Sequence, residues 1–128
     1  MVTVPIFQAF FPGRAPIDAY GNGGFRFAGM SHRGSLLLLP SGIYGWQAPL
    51  PDNVTVESLA KVLAERDGID TLLLGTGATQ VFAASGVRRA FIEADIGLEA
   101  MSTGAAARTY NVLLAEARPV AAALIAVN

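Results

Sequence analysis

An α/β fold is what the 128-residue sequence predicts, and three observations carry it. Glycine and proline break the first half into short, strand-length apolar runs. From Thr55 onward, segments with helical periodicity alternate with short strand-like ones. The length suits one domain with one core, so residues 1–128 read as a single unit.

The breaks in the first half are "PGRAP", "YGNGG", "HRGS", "LPSGIYGW" and "APLP". Between them Phe25 and Phe27 flank Arg26, the alternation of a half-exposed strand. Leu36 to Leu39 is an unbroken apolar run, as in a strand covered on both faces. The "GNGG" stretch predicts a turn before Phe25, because glycine tolerates positive φ. In "TVESLAKVLAERDG" the residues Val56, Leu59, Val62 and Leu63 recur at helical spacing, with Thr55 placed to cap the start and Gly68 to stop the helix. "IDTLLLGTG" reads as a buried strand from Asp70 to Leu74 that ends in a glycine turn. "ASGVRRAFIEAD" predicts a shorter helix with Val87 and Phe91 inward and Arg88 and Glu93 outward, and "IGLEAM" a short strand. Thr103 is expected to cap a helix running to about Ala117, with Ala106, Tyr110, Leu113 and Leu114 on its inner face. Pro119 ends that helix and "VAAALIAV" closes the chain as a strand. This order is a β-α-β crossover pattern, which requires parallel neighbours and right-handed connections in the second half.

Hydrophobic residues make up 52% and charged residues 15% of the chain, which points to a well-covered sheet or to an apolar patch used in contact. Neither "LLLL" nor "VAAALIAV" approaches the roughly 20 apolar residues needed to cross a bilayer. The N-terminus has no basic residue before its hydrophobic part, its first being Arg14, so it is a poor signal peptide and a cytoplasmic location is expected. No cysteine is present, which removes disulfides, thiolate nucleophiles and thiolate metal ligands. A net charge of -1 without a Lys/Arg cluster gives no electrostatic footprint for nucleic acid. No cofactor is expected.

Gly75-Thr76-Gly77 follows the buried strand, where a glycine turn can present backbone amides to an anion. A dinucleotide fingerprint needs a further glycine where Gln80 stands, and a strand end with a tight turn accounts for both glycines without a ligand. His32, the only histidine, has the chemistry of an acid or base but lies in a predicted turn, as a surface residue would. A zinc site would need more such ligands. Asp95 and Glu99 have no spacing that marks an acid/base pair, and no nucleophile elbow precedes a helix. Trp46, beside Tyr44, is expected to cover the core or anchor an interface. Arg108 and Asn111 stand three apart on the last helix and share a face, from which they could meet a carboxylate or carbonyl.

The block "GFRFAGMSHRGSLLLLPSGIYGW", the "IDTLLLGTG" strand and turn, and "GLEAMSTGAAARTYNVLLAEARPVAAALIAV" together resemble the Mth-nine-three-eight-like domain family, from about Ile17 to Val127. Glu99-Ala100-Met101, Thr103, Ala106, Ala107, Arg108-Thr109-Tyr110-Asn111, Glu116 and Arg118 are its most specific part. The resemblance implies a three-layer domain around a mixed, mostly parallel central sheet of about five strands, one of them running against the others. The family includes the mitochondrial assembly factor three of respiratory complex I. The implied function is therefore a non-enzymatic assembly or docking factor with a protein partner, respiratory complex I subunits among them, peripheral to the inner membrane through that partner. No family catalytic residue transfers. The candidate pocket or interface is Gly75, Thr76 and Gly77 with Arg108 and Asn111. The alternative is a small-anion or small-molecule-binding protein, or an enzyme, that uses the glycine turn as a cradle and Arg108 to neutralise the anion.

Overall fold

The computed structural model describes residues 10–128, so most of the apolar N-terminal stretch weighed as a signal peptide lies outside the described residues. The Gly/Pro-rich first half forms five short strands: β1 (Ile17–Gly21), β2 (Gly24–Phe27), β3 (Met30–Arg33), β4 (Ser35–Leu39) and β5 (Gly42–Trp46). The first three make an antiparallel sheet of their own, in the order β1-β2-β3. This second sheet was not separable in the sequence from the strands that follow it. As the alternation predicts, Phe25 and Phe27 are buried and Arg26 is exposed.

The second half supplies α1 (Ala60–Ala64), β6 (Thr71–Gly75), α2 (Ser85–Glu93), β7 (Gly97–Met101), α3 (Thr103–Ala115) and β8 (Val120–Leu124). With β4 and β5, these strands form a five-stranded sheet in the order β5-β4-β8-β6-β7. The pairs β8-β6 and β6-β7 are parallel, while β5-β4 and β4-β8 are antiparallel, so β4 alone runs against the other four. Leu37, Leu39, Leu72, Leu74, Ala121 and Ala123 pack on one side with Leu59, Val62, Val87 and Phe91. Leu36, Leu38, Leu73, Ala122 and Leu124 pack on the other with Ala106, Ala107, Tyr110, Phe25 and Phe27. The layers are therefore α1 and α2, the central sheet, and α3 together with the small sheet. The unbroken runs in β4, β6 and β8 follow from this double cover, since both faces of each strand need apolar side chains.

Two elements depart from the expected form. The helix foreseen over residues 55–68 is regular only in α1, with 3₁₀ turns Glu57–Leu59 and Arg66–Gly68 on either side. Its start is tightened by a reciprocal pair of bonds: Ser58 N donates to Thr55 Oγ1 at 3.0 Å and Thr55 N to Ser58 Oγ at 2.9 Å. Thr55 thus caps, and Leu59 and Val62 are buried as the spacing requires. The second departure is the cap of α3. Ser102, with extended backbone, accepts from Ala105 N at 3.3 Å, whereas Thr103 is the first helical residue and buried. At the other end Ala117 adopts φ 58°, Ala117 N bonds Leu114 O and Arg118 N bonds Leu113 O, which closes the helix two residues before the expected end.

Tyr110 lies in the core between α3 and the sheet. Burial pushes its phenol up to about 12, with the Arg14 charge pulling weakly the other way. Because that value exceeds the ordinary 10.0, the unfolded chain loses this proton first as pH rises. The stability held by neutral Tyr110 is therefore full below about pH 10 and lost as pH climbs through about 12. Alkaline denaturation curves of the wild type and of Tyr110→Phe should diverge in slope across that window, the variant being the flatter.

Candidate functional site

β6 ends against the start of α3. A Cβ on Gly75 would stand 2.9 Å from Leu124 Cδ2 and 3.0 Å from Thr103 Cα, so only glycine lets the helix start seat on the strand end. Gly77 follows with φ +102°, a conformation that side-chain-bearing residues rarely take. Between the strand end and the helix, Thr103 is fully buried, and it ties three pieces of chain together. Its hydroxyl donates to Ile125 O at 2.6 Å and accepts from Gly77 N at 3.0 Å, while its own N–H donates to Gly77 O at 2.8 Å.

Thr76 is also buried, and its bonds organise the loop beyond. Its N–H donates to Met101 O at 2.9 Å; its hydroxyl donates to Thr79 O at 2.7 Å and accepts from Val81 N at 2.9 Å. The amides of Thr76 and Gly77 that an anion cradle would use are thus spent on the protein's own oxygens. The turn stands at the carboxyl edge of the parallel strands, where open α/β sheets take ligands, but here it is closed by α3.

Arg108 and Asn111 do share a face of α3, as their spacing predicts, and that face is turned to β1. Asn111 Oδ1 accepts from Ile17 N at 2.8 Å and Asn111 Nδ2 donates to Ile17 O at 2.8 Å. The side-chain amide thereby acts as one more rung on the edge of β1. Arg108 is exposed and reaches Tyr20 Oη with Nη1 at 3.4 Å. The five candidate residues therefore fall into a closed joint at Gly75, Thr76 and Gly77, a structural clamp at Asn111, and a solvent-facing guanidinium at Arg108.

The other singled-out residues are also placed. His32 lies in β3 rather than a turn, half-buried with its ring 5.0 Å from that of Phe10 and Nε2 3.2 Å from Ser35 O. Burial lowers its pKa from the ordinary value, and the bond to the Ser35 carbonyl offsets part of that shift. Trp46 covers the core, with Nε1 donating to Ser58 O at 2.7 Å. Asp95 and Glu99 are exposed.

Several large apolar side chains stay exposed, Phe82 and Ile92 the most. Phe82 is 78% exposed on the loop between β6 and α2, where Gln80 Nε2 bonds Ala100 O at 2.8 Å. It stands between two hollows. One of about 260 Å³ is lined by Arg88, Leu98 and Glu99, and one of about 200 Å³ by Pro51, Val54 and Leu74. Alternation could not mark it, since a loop has no apolar period.

Residues 17–125 match the family described as a protein of unknown function, DUF498/DUF598. The mouse protein named NADH dehydrogenase (ubiquinone) 1 alpha subcomplex assembly factor 3 is 30% identical over 95% of this chain and 66% of its own length. The chain thus spans just under two thirds of that relative. Among solved structures, one titled an outer membrane protein from Bartonella henselae superposes with a TM-score of 0.87 at 56% identity, covering 92% of this chain and 99% of that one. A protein from Bordetella pertussis described as a Mth938-like domain superposes with a TM-score of 0.76 at 26% identity, covering 98% of this chain and 91% of that one. Among the described residues, no helix is long and apolar enough to cross a membrane.

The Thr103 joint gives a direct test. Thr103→Val keeps the shape but strands the Gly77 N–H and the Ile125 carbonyl, and each buried group left unpaired costs about 1–3 kcal/mol. Thr103→Ser keeps both bonds and should cost about 1 kcal/mol, roughly one buried methyl. Urea denaturation of the two variants should rank them in that order.

Proposed function

We propose, because the chain belongs to the DUF498/DUF598 family, whose Mth938-like fold it shares, that it is a non-enzymatic assembly factor that docks on protein subunits. The single observation that carries this reading is the similarity, over nearly all of the chain, to a protein named as an assembly factor for NADH dehydrogenase. The partners in this reading are subunits of a respiratory complex of that kind. The work is done at the cytoplasmic side of the membrane through the partner.

A docking factor needs an exposed apolar anchor with shape around it, since a few large side chains carry most of the energy of a protein contact. Phe82 supports the reading on both counts. It is the most exposed large apolar residue among those described, and it has a hollow on either side. Arg88 and Gln80 at its margin supply the polar rim that interfaces carry. Arg108 stands in the layer beyond the sheet and contributes to a separate surface. The small-anion alternative has less support, because the Thr76 and Gly77 amides it would use are bonded to Met101 O and Thr103 Oγ1.

In a host that carries the respiratory complex, deletion of the gene should lower the amount of assembled complex on native gels, and the wild-type gene should restore it. Assembled complex at its normal level in the deletion strain would overturn the proposal. Restoration by Phe82→Ser should fall well below that by the wild type, while the variant's stability stays within about 0.5 kcal/mol, as for other surface changes.

A further inference from the structure

The outer face of the small sheet carries a feature that the docking function does not use. In the β1-β2-β3 register, Ala19 pairs with Arg26 and Arg26 with Ser31, while Gly21 pairs with Gly24 and Gly24 with Arg33. These two rows lie side by side on the face opposite Phe25 and Phe27, because side chains alternate along a strand. Arg26 and Arg33 are therefore diagonal neighbours on one face, and such neighbours stand about 7–8 Å apart. Both are exposed.

The middle of this face is Ala19 and Gly21, which carry at most a methyl group, with open space over Gly21 and Gly24 buried against the His32 carbonyl beside them, so the surface sinks there and the longer side chains form a rim. The resulting hollow has a volume of about 520 Å³. That lies within the range of small-molecule sites. Asn22, Ser31 and the two arginines offer donors, and no carboxylate lines it. The Arg33 guanidinium reaches back over the turn, with Nη1 3.9 Å from where a Gly23 Cβ would stand. The rim is held in place from below: Gly23 N donates to Val127 O and Gly34 N to Gly23 O, both at 2.8 Å.

Two like charges at such a spacing repel each other in the free protein. A group with several acceptor oxygens between them turns that repulsion into two charge-assisted contacts, and guanidinium forks match phosphate geometry. We infer that the hollow bounded by Arg26 and Arg33 on the outer face of β1-β2-β3 is a binding site for a phosphate group. The phosphate belongs either to a soluble ester or to a phospholipid headgroup. The site is distinct from the glycine turn, and it recruits neither Arg108 nor Phe82.

Titration of the full chain with inorganic phosphate, followed by amide chemical shifts, should give saturable shifts at Gly21, Gly24, Arg26, Ser31 and Arg33. The double variant Arg26→Gln/Arg33→Gln should weaken binding by about tenfold or more, as the loss of two charge-assisted bonds implies. Arg66→Gln/Arg89→Gln removes the same charge from exposed positions elsewhere and should leave binding unchanged. Sedimentation with phosphatidylcholine vesicles, with and without phosphatidylglycerol, separates the two sources. Co-sedimentation only with the anionic vesicles, lost in the Arg26/Arg33 variant, assigns the site to a headgroup; phosphate binding without it assigns the site to a soluble ester. The inference is overturned if no shift appears at those amides and no vesicle binds, or if the Arg66/Arg89 variant loses binding to the same degree.

Discussion

The buried hydroxyl of Thr103 is the constraint on which the carboxyl edge of the central sheet depends. It joins the turn after β6, the first residue of α3 and the end of β8 in one place, through bonds to Gly77 N and Ile125 O. The bond to Ile125 O is buried and the one from Gly77 N partly so, which makes the pair costly to lose together. Gly75 is glycine for the same reason, since any side chain would push Thr103 and Leu124 away. Ile125 N donates to Gly75 O at 2.9 Å, which carries the joint one residue further along the two strands. A fold of this type places its ligand edge where strands and helix starts converge, and here that convergence has been filled from within.

Much of the architecture is legible in the sequence. The apolar runs of β4, β6 and β8 announced strands covered on both faces, and the periodicity around Val87 and Phe91 announced the buried side of α2. These signals survive because each depends on a repeat within one element. What did not survive was information that lives between elements. The separate β1-β2-β3 sheet shares the turn vocabulary of its neighbours, so only pairing distinguishes it. Thr103 and Ser102 are adjacent hydroxyl residues before one helix, and local preference alone ranks either as the cap. The choice is made by Gly77 and Ile125, which lie far away in sequence and draw Thr103 inward.

The candidate residues divide for the same reason. Arg108 and Asn111 do occupy one helix face, but spacing cannot say what that face meets, and β1 takes Asn111 completely. Arg26 and Arg33 show the reverse case. Seven positions apart, they form no cluster in the sequence, and an antiparallel hairpin makes them neighbours. Phe82 is visible only as an exception to burial, in a chain where apolar residues are abundant. The bonds of Thr76 and Gly77 in the glycine turn thus serve the architecture of the strand end, and the two surfaces proposed above for binding lie elsewhere, around Phe82 and on the outer face of the small sheet.

The closure of that turn is tested most directly by hydrogen exchange at the Gly77 amide. If its proton is held by Thr103 Oγ1, it should exchange as slowly as the amides inside β6 and should not shift when phosphate is added. Exchange at the rate of an exposed loop, or a saturable shift of that amide with phosphate, would contradict the account and return the turn to the status of an open cradle.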